Sequence, residues 1–252
     1  MPTLVPACTR TMAVLEVFAR EKRELSNSDM ARFLDLPDSS CSDLLYTLHQ
    51  NGYVLRTART RRFYPTSRIH AVASEIIRND PIYAAGNEAL ELLVARTGET
   101  GFCGRMDDGA VKIVAMQEGR HALRYVLNSG EKIALHASGL GKALLGLIGA
   151  SEPAEAARQL RLKPLRELTP RTITDPVALE ADLAAGRARG WHIADGEGTE
   201  GAAAIGIAGY VGEEAMAISI GGPSDRMRRH LDEYVAVLKE VAAITFSDRP
   251  RH

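Results

Sequence analysis

Cysteine is scarce in this chain. Three residues stand at positions 8, 41 and 103, an odd number at wide spacing, which leaves no disulfide framework and no paired-cysteine metal motif. An excess of one charge is also missing. The 31 Lys and Arg residues offset 32 Asp and Glu, for a formal net charge of −1, so any contact with nucleic acid must rest on local charge. No apolar run is long enough to cross a bilayer, and the most apolar stretch, Leu140 to Ala150, is short and carries Lys142. The first residues lack a basic region followed by an apolar core, so no signal peptide is expected. The signatures HExxH and GxSxG do not occur, and no dinucleotide-binding fingerprint, which needs its glycines between a strand and a helix, is expected. These absences lead to the expectation of a cytoplasmic protein with no catalytic residues, no metal, no cofactor and no membrane partner.

What is present is ordinary globular material, 45% hydrophobic and 25% charged over 252 residues, enough for one large domain or two modest ones. Helical periodicity predicts a first helix over 11–20, carrying Met12, Val14, Leu15 and Phe18. A second starts at Ser26, with Asp29 three residues on in a capping-box arrangement, and turns Met30, Ala31 and Leu34 inward. Leu36-Pro37 makes a turn, and Ser39 caps a third helix with a Leu44/Leu45/Leu48 stripe. Gly52 stops that helix and Tyr53-Val54-Leu55 begins a strand. A hairpin over 56–65 carries Arg56, Arg59, Arg61 and Arg62 without an acidic residue, its aromatic pair Phe63-Tyr64 pinning the strands. A helix over 68–78 then ends at Asn79-Asp80-Pro81.

Beyond that break the character changes. An apolar helix over 81–96 is followed by strand-like segments at 100–105, 111–117, 123–127, 191–194, 202–210 and 215–220. Helices are expected at 139–147, 152–160, 176–189 and 225–244. This irregular mixture predicts α+β architecture rather than a doubly wound sheet. The expected organisation is a DNA-binding domain over 1–66, a linker helix over 67–80 and a second domain over 81–252.

The order helix, turn, helix, strand, basic hairpin is that of a winged helix-turn-helix. On its third helix Ser39, Ser40, Ser42, Asp43, Tyr46 and Thr47 lie off the leucine stripe. Short hydroxyls near a helix N-terminus suit close approach to phosphates and base edges. With Ser28 on the second helix and Arg59, Arg61 and Arg62 on the wing, they form the candidate face for double-stranded DNA. Taken singly, each element is equally a solvated helix face or charge run. Asp43 repels phosphate unless it accepts from a cytosine amino group. In the second domain, Ile133–Lys142 is the candidate pocket wall. Ser138 caps a helix beginning Gly139-Leu140-Gly141, whose free N–H groups attract a carboxylate, although a glycine-rich helix start is equally explained by close packing on a sheet.

Six motifs in order resemble the IclR family of bacterial transcription regulators: Leu36-Pro37-Asp38-Ser39-Ser40, Leu48 through Gly52-Tyr53-Val54, Thr97-Gly98-Glu99-Thr100, Leu135-His136-Ala137-Ser138-Gly139-Leu140-Gly141-Lys142-Ala143, Leu168-Thr169-Pro170-Arg171-Thr172-Ile173-Thr174, and Ile218-Ser219-Ile220-Gly221-Gly222-Pro223. The resemblance spans nearly the entire chain. It implies an N-terminal winged helix-turn-helix and a C-terminal α+β effector-binding domain with a mainly antiparallel curved sheet flanked by helices. It also implies a homodimer, or a dimer of dimers, whose hold on an operator answers to a small organic effector. Carried over from the family, the effector contacts are Val126, Ile133, Gly139, Leu140, Ala194, Ala202, Ala204, Ser219 and Gly221. Ala194 stands where the family often has an acid, Ala204 where it often has cysteine and Gly221 where it often has serine. A wider, less polar cavity is therefore expected, sized for an aromatic acid or its ester or amide. On the DNA side, Asp38 and Asp43 stand where basic residues are common, which shifts expected affinity to the wing.

Two other classes stand beside this reading. One is an oligomeric ligand-binding interaction protein with weak or no DNA binding, supported by Asp38 and Asp43. The other is a hydrolase built from His136, Ser138, Asp195 and Glu197, which lacks a nucleophile on a sharp turn with oxyanion donors.

Overall fold

The computed structural model describes residues 3–247, which fall into two units that divide between Arg78 and Asn79. In the first, α1 (Pro6–Glu21), α2 (Asn27–Leu34) and α3 (Asp38–Gln50) are followed by β1 (Val54–Arg56), β2 (Phe63–Pro65) and α4 (Ser67–Arg78). Their shared core is Val14, Val17, Phe18, Leu25, Met30, Cys41, Leu45, Leu48, Val54 and Phe63. Helix α1 begins five residues earlier than periodicity predicts. Pro6 in its first turn has φ already set for a helix and no N–H to satisfy, so polar Thr9 and Arg10 continue the helix without contributing to the core.

Helix α2 carries the full capping box, with Ser26 Oγ accepting from the Asp29 N–H and the Asp29 carboxylate accepting from the Ser26 N–H, both at 3.1 Å. The cap of α3 is not Ser39. The N-cap is Pro37, without a side-chain hydrogen bond, and Ser39 lies inside the first turn. Asp38 supplies the negative charge favoured at that helix end. Cys41 takes the third core place expected of Leu44, which is only half-buried.

In the second unit, α5 (Pro81–Thr97) leads into β3 (Thr100–Asp107) and β4 (Ala110–Gln117). There follow β5 (Lys132–Ala134), α6 (Gly139–Ser151), α7 (Pro153–Arg161), α8 (Pro176–Arg189), β6 (His192–Asp195), β7 (Ala202–Val211), β8 (Glu214–Pro223), α9 (Ser224–Arg229) and α10 (Leu231–Thr245). The strands form one six-stranded antiparallel sheet in the order β5-β4-β3-β8-β7-β6. Helices cover both faces. One face packs Ile205, Met216, Ile218 and Ile220 with Leu90 and Leu93 of α5 and Leu238 and Val241 of α10. The other packs Phe102, Val111, Ile113 and Ala217 with Leu140, Leu144 and Leu145 of α6 and Leu179 and Leu183 of α8.

Strand alternation divides these faces by size. In β7 and β8, Ile205, Ile218 and Ile220 point to the α5/α10 side, while the small Ala204, Gly206, Ala217, Ser219 and Gly221 alternate with them toward α6. A face of large side chains fills itself, and a face of small ones leaves a hollow.

Three expected elements differ here. Residues 123–127 are not a strand, and the sheet edge is β5 instead. The segment's carbonyl at Leu123 accepts from Arg226 Nη2 at 2.9 Å, so it is held by a tertiary contact rather than a ladder. Helix α6 runs four residues past its expected end. The expected final helix is two, because the backbone leaves helical geometry at His230, whose ring stacks on Tyr234 at 5.4 Å.

Candidate functional site

In the first unit, Ser39, Ser42, Asp43 and Tyr46 recur at helical spacing along one exposed face of α3, with Tyr46 62% exposed. Thr47 is exposed beside them, with its hydroxyl donating to the Asp43 carbonyl at 2.7 Å, while Ser40 is half-buried against α1. Ser28 is exposed on α2. Asp38 has a structural occupation, since Asn27 Nδ2 donates to its carbonyl at 2.9 Å and its carboxylate at 3.2 Å. That contact ties α2 to α3 and explains an acid at this position without reference to DNA.

The wing arginines are not equivalent. Arg56 donates to the Arg61 carbonyl and lies over the Phe63 ring at 5.4 Å. Arg62 pairs with Asp29 at 3.1 Å and donates to the Glu24 carbonyl. Asp29 is held below the usual carboxylate range first by the Ser26 N–H and hydroxyl and then by Arg62. Arg59 and Arg61 are exposed and make no ion pair among the described residues. The structure thus withdraws Arg62 from the free wing set, because its guanidinium already neutralises the capping-box carboxylate.

In the second unit, the small-residue face of the sheet, the first turn of α6 and two loops enclose a cavity of about 360 Å³. Helix α6 sits directly on β7. A Cβ added at Gly139 would lie 2.8 Å from the Ala204 carbonyl, and one at Gly206 would lie 2.6 Å from the Gly139 carbonyl. Ser138 caps the helix, its Oγ accepting from the Gly141 N–H at 3.1 Å and donating to the Ala134 carbonyl at 2.6 Å. The Lys142 N–H is taken by the Ser138 carbonyl. The first-turn N–H groups of Gly139 and Leu140 remain, and both residues line the cavity.

The opposite wall is Phe102 with Tyr125 edge-on to it at 5.9 Å. At the rim the Tyr125 hydroxyl meets Thr199 Oγ1 at 3.3 Å. Ser219 lines the cavity, is 1% exposed, and its hydroxyl has no hydrogen-bond partner among the described residues. A hydroxyl that opens onto the cavity and bonds no protein group is available to a ligand that brings a polar atom to it.

Seven of the nine effector residues carried over from the resemblance meet on this wall: Ile133, Gly139, Leu140, Ala194, Ala202, Ala204 and Ser219. Val126 does not. It is 43% exposed, and its neighbours Tyr125 and Leu127 line the cavity instead. Gly221 lies behind the wall, where a Cβ would touch Phe102 and Ala204 at 3.3 and 3.4 Å. Phe102, Tyr125, Leu168 and Thr199 were not anticipated. Phe102 was legible as the large residue in an otherwise small β3 segment; Tyr125, Leu168 and Thr199 come from loops with no periodic signal.

The loop carrying Gly198 and Thr199 is tethered from below. Thr169 Oγ1 donates to the Gly196 carbonyl at 2.6 Å and Thr172 Oγ1 to the Glu197 carbonyl at 2.7 Å. Fully buried Lys142 binds Glu197 Oε1 at 2.5 Å and Asp182 Oδ2 at 2.9 Å. Burial raises the Glu197 carboxyl above its ordinary value, and the Lys142 ammonium opposes that rise. A second buried pair, Glu99 with Arg226, receives the Tyr234 hydroxyl, whose pKa burial and Glu99 raise to about 12.

The four residues weighed for a hydrolase are separately employed. Ser138 caps α6, the ring of His136 donates from Nε2 to the Arg166 carbonyl at 3.0 Å, Asp195 pairs with Arg228 and Arg171, and Glu197 binds Lys142. Among the described residues no group of three or more His, Cys, Asp and Glu is placed to hold a metal ion, and no helix is long and apolar enough to cross a membrane.

Two family models match the chain. That of the bacterial transcriptional regulator IclR C-terminal covers residues 74–245, and that of the IclR helix-turn-helix domain covers residues 7–58. The chain is similar to the HTH-type transcriptional regulator BhcR of Paracoccus denitrificans, 32% identical over 98% of this chain and 88% of that one. It is also similar to the transcriptional repressor IclR of Escherichia coli, 29% identical over 88% of this chain and 82% of that one. Among solved structures, the fold matches the IclR of Thermotoga maritima with a TM-score of 0.76 at 24% identity, covering 94% of this chain and 96% of that one. It also matches an IclR homologue from Microbacterium hydrocarbonoxydans complexed with 4-hydroxybenzoate, with a TM-score of 0.76 at 22% identity, covering 95% and 97%.

Proposed function

The chain belongs to the IclR family of bacterial transcriptional regulators, and from that premise we propose that it binds operator DNA under control of an aromatic-acid-sized effector. It is a transcriptional regulator with a helix-turn-helix domain and a C-terminal ligand-binding domain, and its relatives are named regulators and repressors, a family that is not enzymatic. In the proposed complex, Ser39, Ser42 and Tyr46 face the bases, while Arg59 and Arg61 neutralise phosphates. Ser28 on α2 adds a backbone contact. Asp43 and the exposed carboxylate of Asp38 both work against phosphate on this face. The exposed apolar side chains of α4, with Ile76 67% exposed, support a homodimer that presents two such faces to two half-sites.

The observation that carries the effector reading is the cavity itself. Small and apolar residues make up most of its walls, the Ser219 hydroxyl and the first-turn N–H groups of α6 offer polar contacts, and Tyr125, Thr199, Glu131 and Lys132 also line it. About 360 Å³ lies in the range of roughly 300–1,000 Å³ typical of small-molecule pockets. Such a site takes a ring or short branched body with one anionic or polar end. The bound 4-hydroxybenzoate of the Microbacterium homologue is a molecule of that class. The test is a thermal-shift panel on the full chain. Benzoate-sized acids and their amides raise the melting temperature more than glyoxylate or pyruvate; stabilisation confined to the two- and three-carbon acids refutes the size argument.

A further inference from the structure

A second cavity of about 450 Å³ lies on the other side of β5, between that strand and the segment that follows α7. We propose that it is a separate site for an organic carboxylate with an apolar body. No acidic side chain lines it. Its floor is Ile133, Leu135, Leu160 and Leu165, and its cations are Lys163, Arg166 and Lys132. Lys132 is already paired with Asp107 at 3.0 Å, whereas Lys163 and Arg166 are exposed and form no ion pair among the described residues. Two uncommitted cations over an apolar floor are complementary to a carboxylate carried on a hydrocarbon body.

The cations stand on a braced segment. His136, buried in the same wall, donates from its ring Nε2 to the Arg166 carbonyl at 3.0 Å, and the Arg166 N–H donates to the Pro164 carbonyl at 2.9 Å. Burial pushes His136 below its ordinary pKa, so the ring is neutral at pH 7 and adds no charge of its own. The two cavities share Lys132, Ile133, Ala134 and Leu168. A ligand in either one presses on the same three-residue edge strand, which pairs only with β4. Any coupling between the sites is reciprocal by thermodynamic necessity.

The proposal does not depend on the effector assignment, and calorimetric titration of the full chain with benzoate separates the two. The variant K163A/R166A alters exposed side chains only, and A204L fills the first cavity. The site is supported if wild-type protein and A204L both bind benzoate and K163A/R166A in the A204L background weakens that binding at least tenfold. It is also supported only if acetate, which has the charge without the body, binds at least tenfold more weakly. Benzoate binding that A204L abolishes, that survives K163A/R166A unchanged, or that acetate matches overturns it, as does no binding by any form. Loss in A204L alone removes the second site while leaving the effector reading intact.

Discussion

Replacing Ser219 with alanine has different consequences for the empty and the liganded protein. Ser219 is buried in β8 and its hydroxyl has no partner among the described residues, so its removal breaks no hydrogen bond in the fold. The hydroxyl opens onto the cavity, and the ligand-free variant is expected to match the wild type within about 0.5 kcal/mol. For a chain of this size that is a melting temperature unchanged within about 2 °C. With ligand the substitution has a cost. A carboxylate accepting from that hydroxyl makes a charge-assisted bond of about 1.5–3 kcal/mol, so Ser219→Ala weakens binding roughly 10- to 100-fold. The assay is differential scanning fluorimetry without ligand, followed by calorimetry with whichever acid of the panel stabilises the wild type most. A variant that melts several degrees lower when empty, yet binds with wild-type affinity, refutes the reasoning, because the hydroxyl would then be structural.

Two other outcomes follow from particular contacts. Operator affinity measured against salt loses about 0.9 log unit per log salt for each phosphate neutralised, so R59A/R61A flattens the slope by about 1.8. R62A leaves the slope unchanged, because that guanidinium is committed to Asp29; an equal loss for both would place Arg62 on DNA. His192 is buried in β6 against α6 and α8, and burial, reinforced by Arg189, depresses its imidazole to about 4. The folded protein therefore holds it neutral while the unfolded chain takes up a proton below about 6.5. Stability present above that pH is lost as pH falls from about 6.5 to 4, by on the order of 3 kcal/mol. His192→Gln removes this component, so urea midpoints of variant and wild type that fall in parallel over that window would refute it.

Much of the fold was legible because its signals are local. The Ser26/Asp29 box and the Gly52 stop after α3, with Gly52 at φ 73°, depend on residues within one turn of each other. The alternation of large and small residues in β7 and β8 was also written in the chain, and the hollow above it follows once a helix packs on the small face. One expected element is instead decided from a distance. Residues 123–127 have strand composition, but Arg226, 103 positions away, takes the Leu123 carbonyl.

The sequence by itself determined that the chain begins with a helix-turn-helix and a basic wing, and that six ordered motifs tie the rest to one family of regulators. It also determined which strand positions are small. Only the tertiary structure decided what those residues do. It committed Arg62 to Asp29 and left Arg59 and Arg61 without an ion pair among the described residues. It turned Tyr125 inward and Val126 outward, left the Ser219 hydroxyl without a partner, and opened a cation-lined cavity behind β5. Each outcome depends on groups far apart in the chain that meet, or fail to meet, in space, and no periodicity along one segment encodes that.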